Sequence, residues 1–147
     1  MPIKPIPEGY HSVTPYLIVN GAAGLIGFLQ EVFGAEVKER MERPDGAIAH
    51  AEVVIGDSIV MMGEASDSIP PMPTMLYVYV ADCDAVYQRA LRAGATSVRE
   101  PRNEFYGDRS GGVKDMCGNQ WWIGAHVEDV PPDEMARRME AASKQQG

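Results

Sequence analysis

The chain reads twice. Tyr16-Leu-Ile-Val, an apolar-periodic segment and Phe33-Gly-Ala-Glu-Val return as Tyr77-Val-Tyr-Val, a second such segment and Ala93-Gly-Ala-Thr-Ser-Val. The offset is 61 from Val19 to Val80, 60 from Gly34-Ala35 to Gly94-Ala95, and 62 from the turn Gly56-Asp57 to the turn Gly118-Asn119. Such drift is what single-residue insertions in loops produce. A long period met only twice calls for two packed modules, since a solenoid needs three or more stacked repeats to bury a continuous core. A duplicated unit is expected to hold its pocket between the copies.

Each copy has the pattern strand, helix, three strands. Residues 12–19 are rich in β-branched and aromatic side chains and run into Asn20-Gly21, a strand entering a turn. Leu25, Ile26, Phe28, Leu29, Val32 and Phe33 then recur at helical spacing over residues 22–33, with Gly34 placed for a left-handed cap. Residues 35–42, 48–55 and 58–64 read as strands joined by Pro44-Asp45-Gly46 and Gly56-Asp57. Residues 65–73 hold three prolines and read as a linker. The second copy predicts a strand at 75–80, a helix at 82–93 with Asp82 as N-cap, and strands at 96–102, 106–114 and 120–126. Pro131-Pro132-Asp133-Glu134 opens a last helix over 135–143, with its acids where the helix dipole favours them.

The fold class expected is therefore α+β: two β-α-β-β-β modules forming curved mixed sheets around a cavity, plus a C-terminal helix. A single domain spans 10–127, with module one at 10–64, the linker at 65–73 and module two at 74–127; residues 128–147 form a helical extension.

Charge narrows the function classes. Thirteen basic against 21 acidic residues give a net charge of −8, which repels polyphosphate and leaves no Lys/Arg cluster for counterion release. Nucleic acid is not an expected partner. Two cysteines, Cys83 and Cys117, support neither a disulfide framework nor a cysteine-rich metal site. The first nine residues lack a signal-peptide apolar core and no run is long enough to span a bilayer, so the expected location is cytoplasmic, away from membranes.

Several residues carry possible chemistry. His50 and Glu52 share a strand face, as a base or ligand oriented by a carboxylate, or as a structural pair. His126 reads as structural. Tyr106-Gly-Asp-Arg109 precedes a glycine pair and can close a pocket rim, with Arg109 pairing a carboxylate of a ligand or of the protein. Residues 115–119 read as a hairpin device. Trp121 and Trp122 are adjacent and so face opposite ways.

Tyr106-Gly-Asp-Arg-Ser-Gly-Gly-Val-Lys-Asp-Met-Cys-Gly-Asn-Gln-Trp-Trp-Ile, with Val13-Thr-Pro-Tyr-Leu and His50-Ala-Glu, resembles a bacterial glyoxalase-like subgroup of the vicinal oxygen chelate superfamily. That superfamily includes glyoxalase I, bleomycin- and fosfomycin-resistance proteins and extradiol dioxygenases. The resemblance implies, in many members, an inward-facing metal held by His or Glu on the first and last strands of each module. Placed on this chain, the family pattern puts Thr14 and Met75 at the histidine positions, and Met62 and Trp122 at the glutamate positions. None of Met62, Met75 and Trp122 is a hard donor for zinc, nickel, iron or manganese, and Thr14 is a weak one. Glu64, two residues beyond Met62 and on its face, is the remaining carboxylate candidate, while His11 falls on the face opposite Thr14.

In the family register Trp122 faces inward, and Met62, Met75, Tyr77 and Trp122 line a soft apolar cavity, with Thr14 beside them, Glu64 and Arg109 giving polarity and Tyr106 at the rim. The function expected is binding of a small organic molecule between the modules, with no superfamily metal and no cofactor. The alternative is a metal-dependent lyase, isomerase or dioxygenase acting on vicinal oxygens, with Glu64 and His50 or His11 as ligands. Proteins of this type associate, so a homodimer is expected, side by side or with modules exchanged.

Overall fold

The first strand, β1, spans Tyr16–Val19 rather than residues 12–19. Pro15 has no N–H to donate to a ladder, and just before it Thr14 Oγ1 folds back on the His11 carbonyl at 3.2 Å. In this computed structural model, which describes residues 2–146, helix α1 (Ala22–Phe33) and strands β2 (Glu36–Glu42), β3 (Ile48–Ile55) and β4 (Ser58–Glu64) complete a four-stranded sheet of order β1-β4-β3-β2. The β1–β4 pair is parallel and the other pairs antiparallel. Strand β5 (Met75–Tyr79), helix α2 (Cys83–Arg92) and strands β6 (Thr96–Asn103), β7 (Asp108–Lys114) and β8 (Gln120–His126) repeat the arrangement in the order β5-β8-β7-β6. The chain divides into two units, the residues to Thr74 with Asp115–Asn119, and Met75–Lys114 with the residues from Gln120.

In the first unit the apolar stripe of α1, Leu25, Ile26, Leu29 and Val32, is buried with Leu17, Val19, Ala51, Val53 and Met62 of the sheet. Each such side chain contributes about 1.5–3 kcal/mol on leaving water. In the second unit Val86, Tyr87 and Ala90 of α2 bury Val113, Trp121 and Ile123. Asp82 starts that helix as expected, its Oδ1 accepting from the Ala85 N–H at 3.1 Å. One face of each sheet thus lies under a helix, and the alternate residues of every strand form an opposite, open face.

The last helix, α3, runs over Pro132–Gln146, longer than 135–143. Arg138 fixes it, donating to both Glu128 oxygens at 2.8 Å and to Glu134 at 3.1 Å. Strand β7 starts at Asp108, two residues later than expected, because Gly107 turns at φ 102°. Among the described residues no helix is long and apolar enough to cross a membrane.

The ladder corrects the repeat offset at the last strand of each module. Tyr16 pairs with Met61 and Tyr77 with Trp122, so the offset there is 61 and Met61, not Met62, corresponds to Trp122. The turns are not equivalent: Ile55 pairs directly with Ser58, whereas Lys114 pairs with Gln120 across the longer Asp115–Asn119 loop. A slip of one residue in a strand moves every side chain to the other face.

Candidate functional site

The open face of the second sheet is built on two glycines. Trp122 lies against Gly112 on β7, where an added Cβ would come within 2.9 Å of three ring atoms. Tyr77 lies against Gly124 on β8, where a Cβ would sit 2.4 Å from the phenol oxygen. Without side chains at these positions the rings lie across the neighbouring strand. Tyr77, Tyr79 and Met75 remain 40%, 64% and 64% exposed. Arg99 on β6 reaches the same face, its guanidinium carbon 4.9 Å from the Trp122 ring centroid, a cation–π contact. Arg99 also donates to Glu104 at 2.7 Å and to Ser110 Oγ at 2.6 Å.

Asp108 organises the polar end of this face. Its Oδ2 accepts from the Tyr77 and Tyr79 hydroxyls, both at 2.8 Å, and its Oδ1 pairs with His126 Nδ1 at 2.9 Å. Burial by itself raises the Asp108 pKa, but the bonds from His126, Tyr79 and Tyr77 outweigh it and hold the carboxyl below its ordinary range. Burial, then the Asp108 bond, pushes the Tyr77 phenol well above its usual value, so it stays a donor. His126 is raised by Asp108 and then Asp129, which sits 2.7 Å from Nε2.

The open face of the first sheet carries a second polar group. His50 Nε2 lies 2.8 Å from Glu52 Oε2, and His50 Nδ1 lies 3.0 Å from the Tyr16 hydroxyl. Tyr10, from the N-terminal segment, donates to Glu52 Oε1, and the Lys38 ammonium sits 4.0 Å over the Tyr10 ring centroid. Burial would raise the Glu52 pKa; the His50 and Tyr10 bonds win and keep it low. Tyr10, His11, Thr14, Glu52 and Met61 line a pocket of about 320 Å³ that Pro5, Ile6 and Pro7 help to enclose.

Of the residues singled out in the sequence, Met75, Tyr77 and Trp122 stand together on the second open face, and His50 and Glu52 share the first. Thr14 lines the small pocket. Met62 is corrected: it is 0% exposed on the α1 side of its sheet and is not a lining residue. Glu64 is on that same side, as alternation requires, and its carboxylate is spent on α1, accepting from the N–H groups of Gly21 at 2.8 Å and Ala22 at 3.0 Å. The N-cap residue Gly21 has no side chain to do this, which is why a distant carboxylate does. Of the two alternatives for Arg109, a carboxylate of a ligand or of the protein, the structure shows the second, and Arg109 is not on the open face. It points to the helix side and grips Asp84 of α2 with two bonds, at 2.7 and 2.9 Å. Tyr106 packs edge-on against Phe105 in the β6–β7 turn, ring centroids 5.3 Å apart.

Glu64→Ala is expected to cost about 1 kcal/mol of unfolding free energy, read by urea denaturation, and to leave ligand binding unchanged.

Sequence reasoning missed Tyr10 on the first sheet and Asp108, Tyr79 and Arg99 on the second. The glycines at 111–112 and 124 were the available signal, since glycine within a strand marks close approach. Burial raises both thiols, Cys117 to about 11 and Cys83 above its usual value, so neither is a thiolate near neutral pH.

The metal positions of the family pattern can now be tested on the corrected register. Thr14, Met61, Met75 and Trp122 supply a hydroxyl bonded to His11, two thioethers and an indole N–H bonded to Gln120 at 3.1 Å. These do not fit a zinc, iron or manganese ion.

The sequence model of the Glyoxalase/Bleomycin resistance protein/Dioxygenase superfamily matches residues 9–123. The chain belongs to this superfamily. An uncharacterized protein of Mycobacterium tuberculosis is 35% identical over 142 residues, covering 87% of this chain and 82% of that protein. Among solved structures, TioX from Micromonospora sp. ML1 superposes on this glyoxalase-superfamily chain with a TM-score of 0.67 at 25% identity, covering 80% of this chain and 99% of that one. A glyoxalase/bleomycin resistance protein/dioxygenase from Nocardioides reaches a TM-score of 0.61 at 18% identity, covering 83% and 87%. At that identity the likeness is one of fold.

Proposed function

We propose that this glyoxalase-superfamily protein binds a small planar organic molecule, without a superfamily metal, on the open face of its second sheet. The observation that supports it is the ring platform: Tyr77 and Trp122 laid across Gly124 and Gly112, with Tyr79 and Met75 beside them. Aromatic and thioether surfaces of this kind stack with planar ligands and adapt to their shape. Ionised Asp108 and the net charge of −8, with the Arg99 guanidinium over Trp122 paired to Glu104, favour a cationic ring over an anionic one. The enzyme reading required Glu64 as a metal ligand, and Glu64 is held by α1.

The test is fluorescence titration with 1-methylquinolinium, with neutral naphthalene as the charge control. Trp121 is fully buried and Trp122 half-buried, so the expected result is a saturable change lost in Trp122→Phe and weaker for naphthalene. No saturable change with either probe would overturn the reading. The homodimer belongs to the same proposal and is checked by light scattering on the purified chain, which should give twice the 16.0 kDa chain mass.

A further inference from the structure

We infer that Glu39, His50 and Glu52, on the open face of β2 and β3, form a site for one divalent first-row transition ion, with zinc as the best match. One ligand atom from each of these residues lies within 4.8 Å of the other two. Ion–ligand bonds of about 2.0–2.2 Å close that span with a modest rotation of Glu39, whose side chain is exposed. The positions differ from those of the family pattern, which fall on the first and last strands of each module.

Three features of the first sheet bear on the site. The β2–β3 ladder sets Glu39 directly opposite Glu52, and like charges facing one another across a ladder destabilise it. The register shift between Val37 and Glu39 is what creates this pairing: without it Lys38, not Glu39, would face Glu52. Lys38 instead lies over the Tyr10 ring, from where its charge still acts on Glu52 without facing it across the ladder. The fold thus sets two carboxylates side by side where a regular strand would have matched a carboxylate with an ammonium.

The second feature is His50. Its Nε2 is 2.8 Å from Glu52 Oε2, a hydrogen bond whose proton an ion shared by the two atoms would displace, and its Nδ1 is 3.0 Å from the Tyr16 hydroxyl. To ligate through Nε2 the ring must carry its proton on Nδ1, and the Tyr16 oxygen is placed to accept it. The third is the outer support of Glu52, whose second oxygen is held by Tyr10. Glu52 also borders the pocket of about 320 Å³, which leaves room for water or an oxygen ligand to complete the coordination. Imidazole with two carboxylates suits zinc, with manganese and iron as weaker competitors at such a set.

The experiment uses the full chain without an affinity tag, stripped with chelator and titrated with zinc chloride by calorimetry, then with cobalt(II) followed by visible absorption. One equivalent of zinc per chain is expected, with Glu39→Gln and His50→Gln each weakening it about tenfold or more, both variants keeping the wild-type far-ultraviolet circular dichroism. Trp122→Phe should leave zinc uptake untouched, so failure of ring-platform binding and failure of this site are separately visible. No stoichiometric uptake by the wild type, uptake unchanged in both variants, or a cobalt–thiolate band assigning the ion to a cysteine would each overturn the inference.

Discussion

Truncating Met62 to alanine is expected to lower the unfolding free energy by about 2–5 kcal/mol, whereas the same change at Met61 costs less than about 1 kcal/mol. The two residues are neighbours on β4, yet Met62 is 0% exposed beneath α1 while Met61 borders the small pocket on the open face. Removing three heavy atoms from the closed side leaves a cavity that the helix cannot fill; on the open side water fills it. Urea denaturation of both variants measures the difference. Equal losses, or a larger loss at Met61, would contradict the assignment of Met62 to the closed face.

The other large effect is expected at Asp108. Its side chain is 4% exposed and accepts from Tyr77, Tyr79 and His126. Asp108→Asn keeps the shape but replaces a charged acceptor with an amide, and hydrogen bonds to buried charged groups contribute about 1.5–3 kcal/mol each. Because the tyrosines can rebond to water, a loss of about 2–3 kcal/mol is expected. Its pH dependence identifies the cause. Asp108 has a folded pKa below the unfolded one, so its contribution is present above the ordinary carboxylate range near about pH 4 and lost as pH falls through the folded value. His126 has a folded pKa above the unfolded one, so its contribution is full below about pH 6.5 and lost as pH rises through the raised value. The gap between wild type and Asp108→Asn should therefore be widest at about pH 4–6.5 and narrow on both sides. A gap independent of pH would assign the loss to packing alone.

The repeat made the architecture legible from the residues, because turn chemistry and hydrophobic period are local properties. The pairing of His50 with Glu52 followed from period two, and the opposite facing of Trp121 and Trp122 from the same rule. Which face is open was less legible. Equating Gly56-Asp57 with Gly118-Asn119 assumed turns of one length, and the three extra residues of the second loop moved the strand register, placing Met62 on the face that Met61 occupies. The structural use of Glu64 is not legible in the sequence, because its partners, the Gly21 and Ala22 amides, lie 43 and 42 residues away. Glu39 was invisible for a different reason: only the bulge at Lys38 brings it opposite Glu52. The grip of Arg109 on Asp84 joins a strand to a helix 25 residues earlier, a pairing that spacing does not specify.

The ring platform is the centre of the account, and the two indole N–H resonances of the chain test it most directly, since the sequence contains only Trp121 and Trp122. In a nitrogen-15 correlation spectrum titrated with 1-methylquinolinium, the Trp122 resonance should shift progressively and saturate while that of Trp121, sealed beneath α2, stays in place. Stationary resonances for both, or a shift confined to Trp121, would contradict it.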